Sequence, residues 1–177
     1  MNQYKEVDLK ELPYNPVRLI EEDWMLVTAQ KDKKVNTMTA SWGGVGFFWR
    51  QNVAFIFIRK SRYTKEFIDG SDTLSLTFYD TEQYRDMLSL MGKVSGRDED
   101  KIKAAGLTLA YENDTPYFKE AKIVFLCKKM ARYPLEKEGF ILPEIDSSFY
   151  ADMNYHDLYI VAIEKIYIKE KEHEILV

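Results

Sequence analysis

Hydrophobic positions along the chain fall in short segments that are rich in β-branched and aromatic residues. Such segments, separated by Gly, Pro, Asn or Asp, are typical of strands. The pattern predicts strands over residues 17–20, 24–29, 35–42, 53–59, 74–79, 122–127 and 158–168. Pro134, Gly139 and Pro143 interrupt the interval between the last two. We therefore expect a mainly β fold with short helices.

Three segments have helical features instead. Thr81 can cap a helix that Gly92 ends, and its apolar positions follow helical spacing at Tyr84, Met87, Leu88 and Met91. Asp98 precedes a second helix that Gly106 ends, and residues 64–69 form a third that Gly70 ends. No repeat or flexible linker divides the sequence. We expect a single domain over residues 1–177, with a polar arm at 1–16 and a charged tail at 170–177.

Composition narrows the class of protein. Hydrophobic residues make up 46% of the chain and charged residues 31%, which provides enough apolar surface for a globular domain. The net charge of −4 creates no global positive field, so we expect no nucleic acid partner. One cysteine and two histidines are too few for a disulfide framework or a His-rich metal site, so no metal is expected. The polar N-terminus and the lack of a long apolar run predict a cytoplasmic protein with no membrane span.

A cluster of cations follows the predicted strand at 53–59. Residues 59–65 read Arg-Lys-Ser-Arg-Tyr-Thr-Lys, at the point where a strand ends and a short helix begins. Guanidinium groups, hydroxyls and free backbone N–H groups at a helix start can together bind phosphate oxygens. A solvated flank of a hydrophobic strand has the same composition. The residues themselves leave both interpretations open.

Residues 36–42 read Asn-Thr-Met-Thr-Ala-Ser-Trp. In a strand, period two places the hydroxyls of Thr37, Thr39 and Ser41 on one face. That face can hydrogen-bond a polar ring edge or a sugar chain, or it can be a solvent-facing row of good strand formers. Residues 43–46 contain three glycines but lack the spacing and the helix of a pyrophosphate-binding loop. We interpret them as a turn or bulge.

Three further features carry weaker chemical signals. Residues 95–98, Ser-Gly-Arg-Asp, can bring a hydroxyl, a tight turn and a guanidinium near a ligand, or they can simply start a helix. His156 precedes the last predicted strand and can titrate near neutral pH, although a lone histidine in a turn is more often structural. Cys127 fits a buried strand position. The sequence contains no nucleophile elbow, P-loop or H-E-x-x-H motif, which argues against hydrolases and NTPases of those types.

In combination, these motifs resemble the flavin reductase-like, FMN-binding split-barrel family, and its flavoredoxin branch in particular. The resemblance is carried by residues 36–42, by 59–64, by Ser-Gly-Arg-Asp at 95–98 with Lys101 and Gly-Leu-Thr at 106–108, and by Tyr150 with His156. It extends from about residue 17 to 168. It implies a six-stranded antiparallel split β-barrel with peripheral helices, a homodimer, and one non-covalent FMN per protomer near the dimer interface.

The resemblance also implies roles for individual residues. It places residues 36–42 beside the flavin ring and ribityl chain and brings residues 95–96 toward the cofactor. The residues that it places at the phosphate are Arg59, Ser61, Arg62 and Thr64. The predicted cofactor-binding residues are Asn36, Thr37, Met38, Thr39, Ala40, Ser41, Trp42, Arg59, Ser61, Arg62, Tyr63, Thr64, Ser95 and Gly96. His156 matches a histidine that related reductases place near the flavin or nicotinamide, and it is the predicted catalytic residue. Residues 132–149 contain no motif that aligns with the family.

The function implied is that of an FMN-dependent oxidoreductase. Such a protein accepts a hydride from transiently bound NADH or NADPH and passes electrons to a second acceptor, either a small molecule or a protein. The flavin supplies the redox chemistry, so no acid–base motif is required. An alternative is an FMN-carrying electron-transfer or sensor protein with no NAD(P)H turnover of its own. A third class, a cofactor-free interaction domain, would have no affinity for FMN.

Overall fold

The computed structural model describes residues 3–170, which form ten strands and five helices. The strands are β1 Tyr4–Val7, β2 Met25–Lys31, β3 Lys34–Ala40, β4 Gly43–Phe48, β5 Gln51–Arg59, β6 Thr73–Phe78, β7 Leu109–Glu112, β8 Thr115–Phe118, β9 Ile123–Pro134 and β10 His156–Lys169. The helices are α1 Pro16–Arg18, α2 Tyr63–Asp69, α3 Thr81–Lys93, α4 Lys101–Ala104 and α5 Pro143–Phe149. Short 3-10 turns at Leu9–Glu11 and Lys137–Gly139 and a π-helical turn at Leu19–Asp23 connect them. Within residues 3–170, no helix is both long and apolar enough to cross a membrane.

Eight strands form one antiparallel sheet in the order β3-β2-β6-β9-β10-β5-β4, with β1 paired to β10. The long strand β10 pairs with β5 through its first half and with β9 through most of its length. The pairing of β9 with β10 has two register shifts, one with Met130 as the extra residue on β9 and one with Glu164 as the extra residue on β10, and such bulges bend the strands. β7 and β8 form a separate hairpin. The mainly β, antiparallel fold predicted from the hydrophobic pattern is confirmed.

Side-chain alternation along β9 connects two hydrophobic clusters. Ile123, Phe125 and Cys127 belong to the main core, whereas Val124 and Leu126 belong to a second cluster with α3 and β8. All five are nearly fully buried, and burial contributes about 1.5–3 kcal/mol for each large apolar side chain. β9 is therefore covered on both faces, and Cys127 is the core residue that its apolar surroundings predict.

The segment at 17–20, predicted as a strand, is helical. The Asn15 side chain accepts hydrogen bonds from the backbone N–H groups of Val17 and Arg18, and Pro16 occupies the first helical position of α1. Both features favour a helix start. This local capping outweighs the strand preference of the β-branched residues.

Residues 43–46, predicted as a turn or bulge, belong to β4. This strand pairs with β5 from Gly43 opposite Ile56 to Phe48 opposite Gln51, so backbone pairing decides its conformation despite the glycines. The polar arm at 1–16 contributes β1. With β4 and β1 included, the sheet has eight strands, whereas the resemblance implied a barrel of six. The β7–β8 hairpin was not predicted.

The three predicted helices are confirmed with shifted ends. Asp80 rather than Thr81 caps α3, which continues through Gly92 to Lys93. Asp100 rather than Asp98 caps α4 by accepting from the N–H of Lys103. The loop at 94–100 is therefore longer than predicted.

The β2–β3 turn holds two non-glycine residues in the left-handed region, Asp32 at φ 50° and Lys33 at φ 62°. This conformation costs an L-residue about 1–2 kcal/mol, whereas glycine adopts it without a Cβ clash. We expect Lys33→Gly to increase the free energy of unfolding by roughly 0.5–1 kcal/mol. Lys34→Gly, at the exposed start of β3, is the control and should decrease it by about as much. Urea denaturation measures the free energy of unfolding of both variants. A Lys33→Gly protein less stable than wild type would contradict the left-handed conformation of Lys33 in this turn.

Candidate functional site

A cavity of about 440 Å³ opens where β3, the end of β5, the start of α2 and the loop after α3 meet. Its lining residues are Asn36, Met38, Arg59, Ser61, Arg62, Tyr63, Thr64, Lys93, Val94, Ser95, Gly96, Lys101 and Asn154. A second cavity of about 230 Å³ shares three of these and is lined by Met38, Thr39, Ala40, Ser41, Trp42, Phe57, Arg59, Arg62 and His156. The two cavities bring together every predicted site residue except Thr37.

The first cavity is strongly basic. Its cations are Arg59, Arg62, Lys93 and Lys101, and no carboxylate of residues 3–170 lines it. Arg62 Nη1 donates to the carbonyl oxygen of Gly92 at 2.8 Å. Lys101 Nζ donates to the carbonyl oxygens of Met91 and Val94 at 3.0 and 2.9 Å. Carbonyl dipoles orient these two cations without cancelling their charge, which leaves the cavity suited to an anion.

Lys101 is a site residue that the sequence did not single out, although it belongs to one of the motifs behind the resemblance. It is only 4% exposed. Burial, together with the nearby Arg62, lowers the pKa of Lys101 to about 8. Burial and the neighbouring Arg59 also lower the pKa of Arg62. Both shifts arise first from burial and second from neighbouring positive charge, and a bound anion would counteract both.

Arg59 extends from β5 to the loop that precedes β10. Its guanidinium donates to the carbonyl oxygens of Phe149 and Asn154, at 3.2 and 3.4 Å, and lies 3.7 Å from the Asp152 carboxylate. The same group lies 5.6 Å from the centre of the Tyr150 ring. Arg59 therefore holds this loop against the cavity, in addition to contributing charge to it.

Asn154 ties the same loop to the turn after β5. Its Nδ2 donates to Ser61 Oγ at 2.7 Å, and its Oδ1 accepts from the Ser61 backbone N–H at 3.2 Å. Asn154 lines the first cavity and was missed by sequence reasoning. No local pattern could have found it, because the contact joins residues 93 positions apart.

The hydroxyls of β3 are used within the protein more than sequence reasoning expected. Thr37 is fully buried, and its hydroxyl lies 2.8 Å from that of Thr28 and 3.2 Å from the Val27 carbonyl oxygen. Thr39 donates to the Leu88 carbonyl oxygen at 2.5 Å. Of the three predicted hydroxyl residues, Thr37 lines neither cavity, whereas Thr39 and Ser41 line the second one. The hydroxyl proton of Thr39 already has a protein partner.

The opposite face of β3 meets the start of α2 instead. Asn36 Nδ2 donates to Thr64 Oγ1 at 3.0 Å, and both residues are buried. Gly96 lies directly against the Asn36 side chain, where a Cβ at position 96 would collide with the amide. The absence of a side chain at this glycine lets the loop at 95–96 approach β3. Tyr63 lines the cavity beside it and packs against the Arg97 guanidinium, which lies 4.4 Å from its ring centre.

His156 is the first residue of β10 and lies at the second cavity, rather than in a turn. Its Nδ1 is 2.8 Å from the Tyr150 hydroxyl, and its ring centre is 5.1 Å from that of Trp42. Burial, followed by the charges of Arg59 and Arg62, lowers the pKa of His156 to about 4. The imidazole is therefore neutral at physiological pH.

Residues 17–177 match the model of the flavin reductase like domain, and the chain belongs to that family. A search of the curated proteins finds no match. Among solved structures, the FMN-binding domain of a flavin reductases-like enzyme from Shewanella baltica aligns with a TM-score of 0.68 at 19% identity, covering 94% of this chain and 77% of that chain. Flavoredoxin of Desulfovibrio vulgaris aligns with a TM-score of 0.65 at 21% identity, covering 84% of this chain and 70% of that chain. Component B of nitrilotriacetate monooxygenase from Bacillus cereus aligns with a TM-score of 0.66 at 18% identity, covering 84% of this chain and 70% of that chain. These similarities confirm the split-barrel fold.

The low pKa of Lys101 predicts that anion binding at the first cavity depends on pH. As the pH rises from about 7 to about 9, Lys101 loses its proton and the cavity loses a positive charge. We expect the stabilisation by sulfate, whose own charge is constant in this range, to decrease over the same interval. Thermal unfolding with and without sulfate measures this.

Lys101→Met should weaken stabilisation by sulfate at neutral pH and remove most of its pH dependence. Lys103→Met, which alters an exposed lysine of the same helix outside both cavities, is the control and should behave as wild type. A Lys101→Met protein that keeps the wild-type pH dependence would rule out this role for Lys101.

Proposed function

We propose that the protein binds FMN non-covalently, with its phosphate near Arg62 and Lys101 and its ring toward the second cavity. The observation that carries this proposal is the cluster of cations in a cavity lined by no carboxylate of residues 3–170, which suits a phosphate dianion. The second cavity has different chemistry, because Met38, Trp42 and Phe57 offer apolar and aromatic surface for a flat ring. Membership of the flavin reductase like family supports the same assignment.

The proposed activity is that of an oxidoreductase that accepts a hydride from NADH or NADPH and passes electrons to a small-molecule or protein acceptor. FMN, when bound, supplies the hydride and electron chemistry. The protein's own residues bind the phosphate and orient the ring. His156 lines the second cavity and is the proposed catalytic residue there. Because its imidazole is neutral at physiological pH, we assign it hydrogen bonding to a ligand rather than transfer of a full proton.

An FMN-carrying electron-transfer or sensor protein is the second candidate function. The sequence contains no dinucleotide-binding fingerprint, which is compatible with both candidates, because a reductase can bind the nicotinamide transiently without a dedicated domain. Both candidates use the same cofactor site and differ only in the source of electrons.

Anaerobic mixing of the FMN-loaded protein with NADH or NADPH distinguishes the two functions. We expect rapid bleaching of the flavin absorption band, since a reductase transfers a hydride directly from the nicotinamide. Dithionite serves as the control that shows the flavin can be reduced. Bleaching by dithionite but by neither nicotinamide would favour the carrier. A colourless protein with no affinity for FMN would contradict both functions.

Replacing Arg62 with Ala should weaken FMN binding by roughly 1.5–3 kcal/mol, the usual range for a hydrogen bond to a charged group. Riboflavin lacks the phosphate, so it should bind wild type much more weakly than FMN and should be little affected by Arg62→Ala. The matched control is Lys60→Ala, because Lys60 is exposed in the same turn and lines neither cavity. Titration followed by flavin fluorescence measures all three proteins. Equal affinity of wild type and Arg62→Ala for FMN would overturn the phosphate assignment.

A homodimer is part of the same proposal. The β4–β5 hairpin exposes Phe47, Phe48 and Trp49, with Phe47 70% exposed, and the last two rings stack at 4.3 Å. Contiguous exposed aromatic surface of this kind is typical of a protein interface. We expect sedimentation to give about twice the chain mass of 20.9 kDa and Phe47→Glu to weaken the association. A monomer that still binds FMN at low micromolar concentration would contradict the dimer.

A further inference from the structure

The buried contact between Tyr150 and His156 determines which imidazole nitrogen carries the proton. The Tyr150 hydroxyl lies 2.8 Å from Nδ1, and both residues are buried. A neutral imidazole has one protonated and one bare nitrogen, and a hydrogen bond at one nitrogen selects the tautomer at the other. The direction of this one hydrogen bond therefore sets the chemistry that His156 offers to the cavity.

Satisfaction of buried polar groups decides the direction. Among residues 3–170, Nδ1 is the hydrogen-bond partner of the Tyr150 hydroxyl, which has no other. If Nδ1–H donated to Tyr150, the phenolic proton would have no acceptor in a buried position, at a cost of about 1–3 kcal/mol. If Tyr150 donates instead, both groups are satisfied. Burial raises the pKa of Tyr150, which keeps the phenol protonated and able to donate.

We propose that Tyr150 is a positioning residue that holds His156 as the Nε2–H tautomer and thereby presents a neutral hydrogen-bond donor to the second cavity. This proposal rests on the proposed function for the identity of the ligand that receives the bond. A carbonyl or anionic oxygen of the bound flavin or nicotinamide is the class of acceptor that such a donor binds. In this tautomer Nε2 cannot act as a base.

The charges around His156 support the neutral form. Arg59 at the end of β5 and Arg62 before α2 both disfavour an imidazolium. Among residues 3–170, no carboxylate forms an ion pair with His156 itself: Asp157, the next residue of β10, pairs with Lys65, and Asp152 lies 3.7 Å from Arg59, whose charge it offsets only in part. Trp42, whose ring centre lies 5.1 Å from that of His156, contributes an uncharged aromatic ring.

Nitrogen NMR of the histidine side chains tests the tautomer directly. The chain has two histidines, so a His173→Gln variant assigns the His156 signals. At neutral pH we expect Nδ1 to resonate as a bare nitrogen and Nε2 as a protonated one, with or without FMN. In Tyr150→Phe, the Nδ1 signal should shift and a fraction of the Nδ1–H form should appear. A protonated Nδ1 in wild type, or an unchanged Nδ1 signal in Tyr150→Phe, would overturn the proposal.

Tyr155→Phe is the matched control. Tyr155 stacks on Tyr150 with ring centres 4.9 Å apart, but its hydroxyl donates to Asp146 Oδ1 at 2.6 Å and not to the histidine. This variant loses a hydroxyl from the same aromatic cluster and should leave both His156 nitrogen signals as in wild type. A shift of equal size in both variants would show a general effect of the cluster and would contradict a specific role for Tyr150.

Kinetics provide the second measurement. We expect Tyr150→Phe to raise the KM for NAD(P)H or lower kcat by roughly 2- to 10-fold, the effect of one neutral hydrogen bond, with unchanged FMN affinity. The pH profile of wild type should show no inflection from His156 between about pH 6 and 8. An inflection there that His156→Gln removes would overturn the neutral donor. If neither nicotinamide is oxidised, the proposed reductase function fails, while the NMR result still decides the role of Tyr150.

Discussion

Positive charge held in a buried cavity, with carbonyl groups in place of carboxylates, is the constraint on which this site depends. Removing a cation from water is costly unless polar groups replace its hydration. Here the carbonyl oxygens of Met91, Gly92 and Val94 accept from Lys101 and Arg62. The end of α3 is therefore fixed by the site, and α3 in turn buries Leu88 in the second hydrophobic cluster. The cations of the cavity and the core are joined through this helix.

Behind the cavity, an ionic network fixes α2, which follows Arg62 directly. Lys65 Nζ lies 2.7 Å from Asp69 and 3.0 Å from the almost fully buried Asp157, and the Tyr159 hydroxyl donates to Asp69 at 2.6 Å. Because successive side chains of a strand point to opposite faces, His156 meets the cavity while Asp157 anchors the helix. One strand therefore supplies both a cavity-facing group and the support for α2, which follows the cationic segment.

Much of the candidate site could be predicted because its residues form short, continuous motifs. The predicted residues of these motifs all line one cavity, since strand ends and helix starts are local features: Arg59, Ser61, Arg62, Tyr63, Thr64, Ser95 and Gly96. Thr37 was misplaced because period two shows which residues share a face of β3 but not which face meets the cavity. Asn154 was missed because its contact with Ser61 joins residues 93 positions apart, and the burial of Lys101 was missed because its side chain reaches back to the carbonyl groups at the end of α3, which no pattern of polar and apolar positions shows.

Hydrophobic period and helix capping act over a few residues, so the mainly β character, the three predicted helices and the order of the motifs follow from the sequence alone. Only the tertiary structure decided that the glycine-rich segment at 43–46 is a strand, since pairing with β5 supplies its hydrogen bonds. It also decided that His156 is neutral and bonded to Tyr150, because burial and the charges of Arg59 and Arg62 come from other elements. Protonation and ligand-facing geometry depend on long-range contacts, which no local pattern specifies.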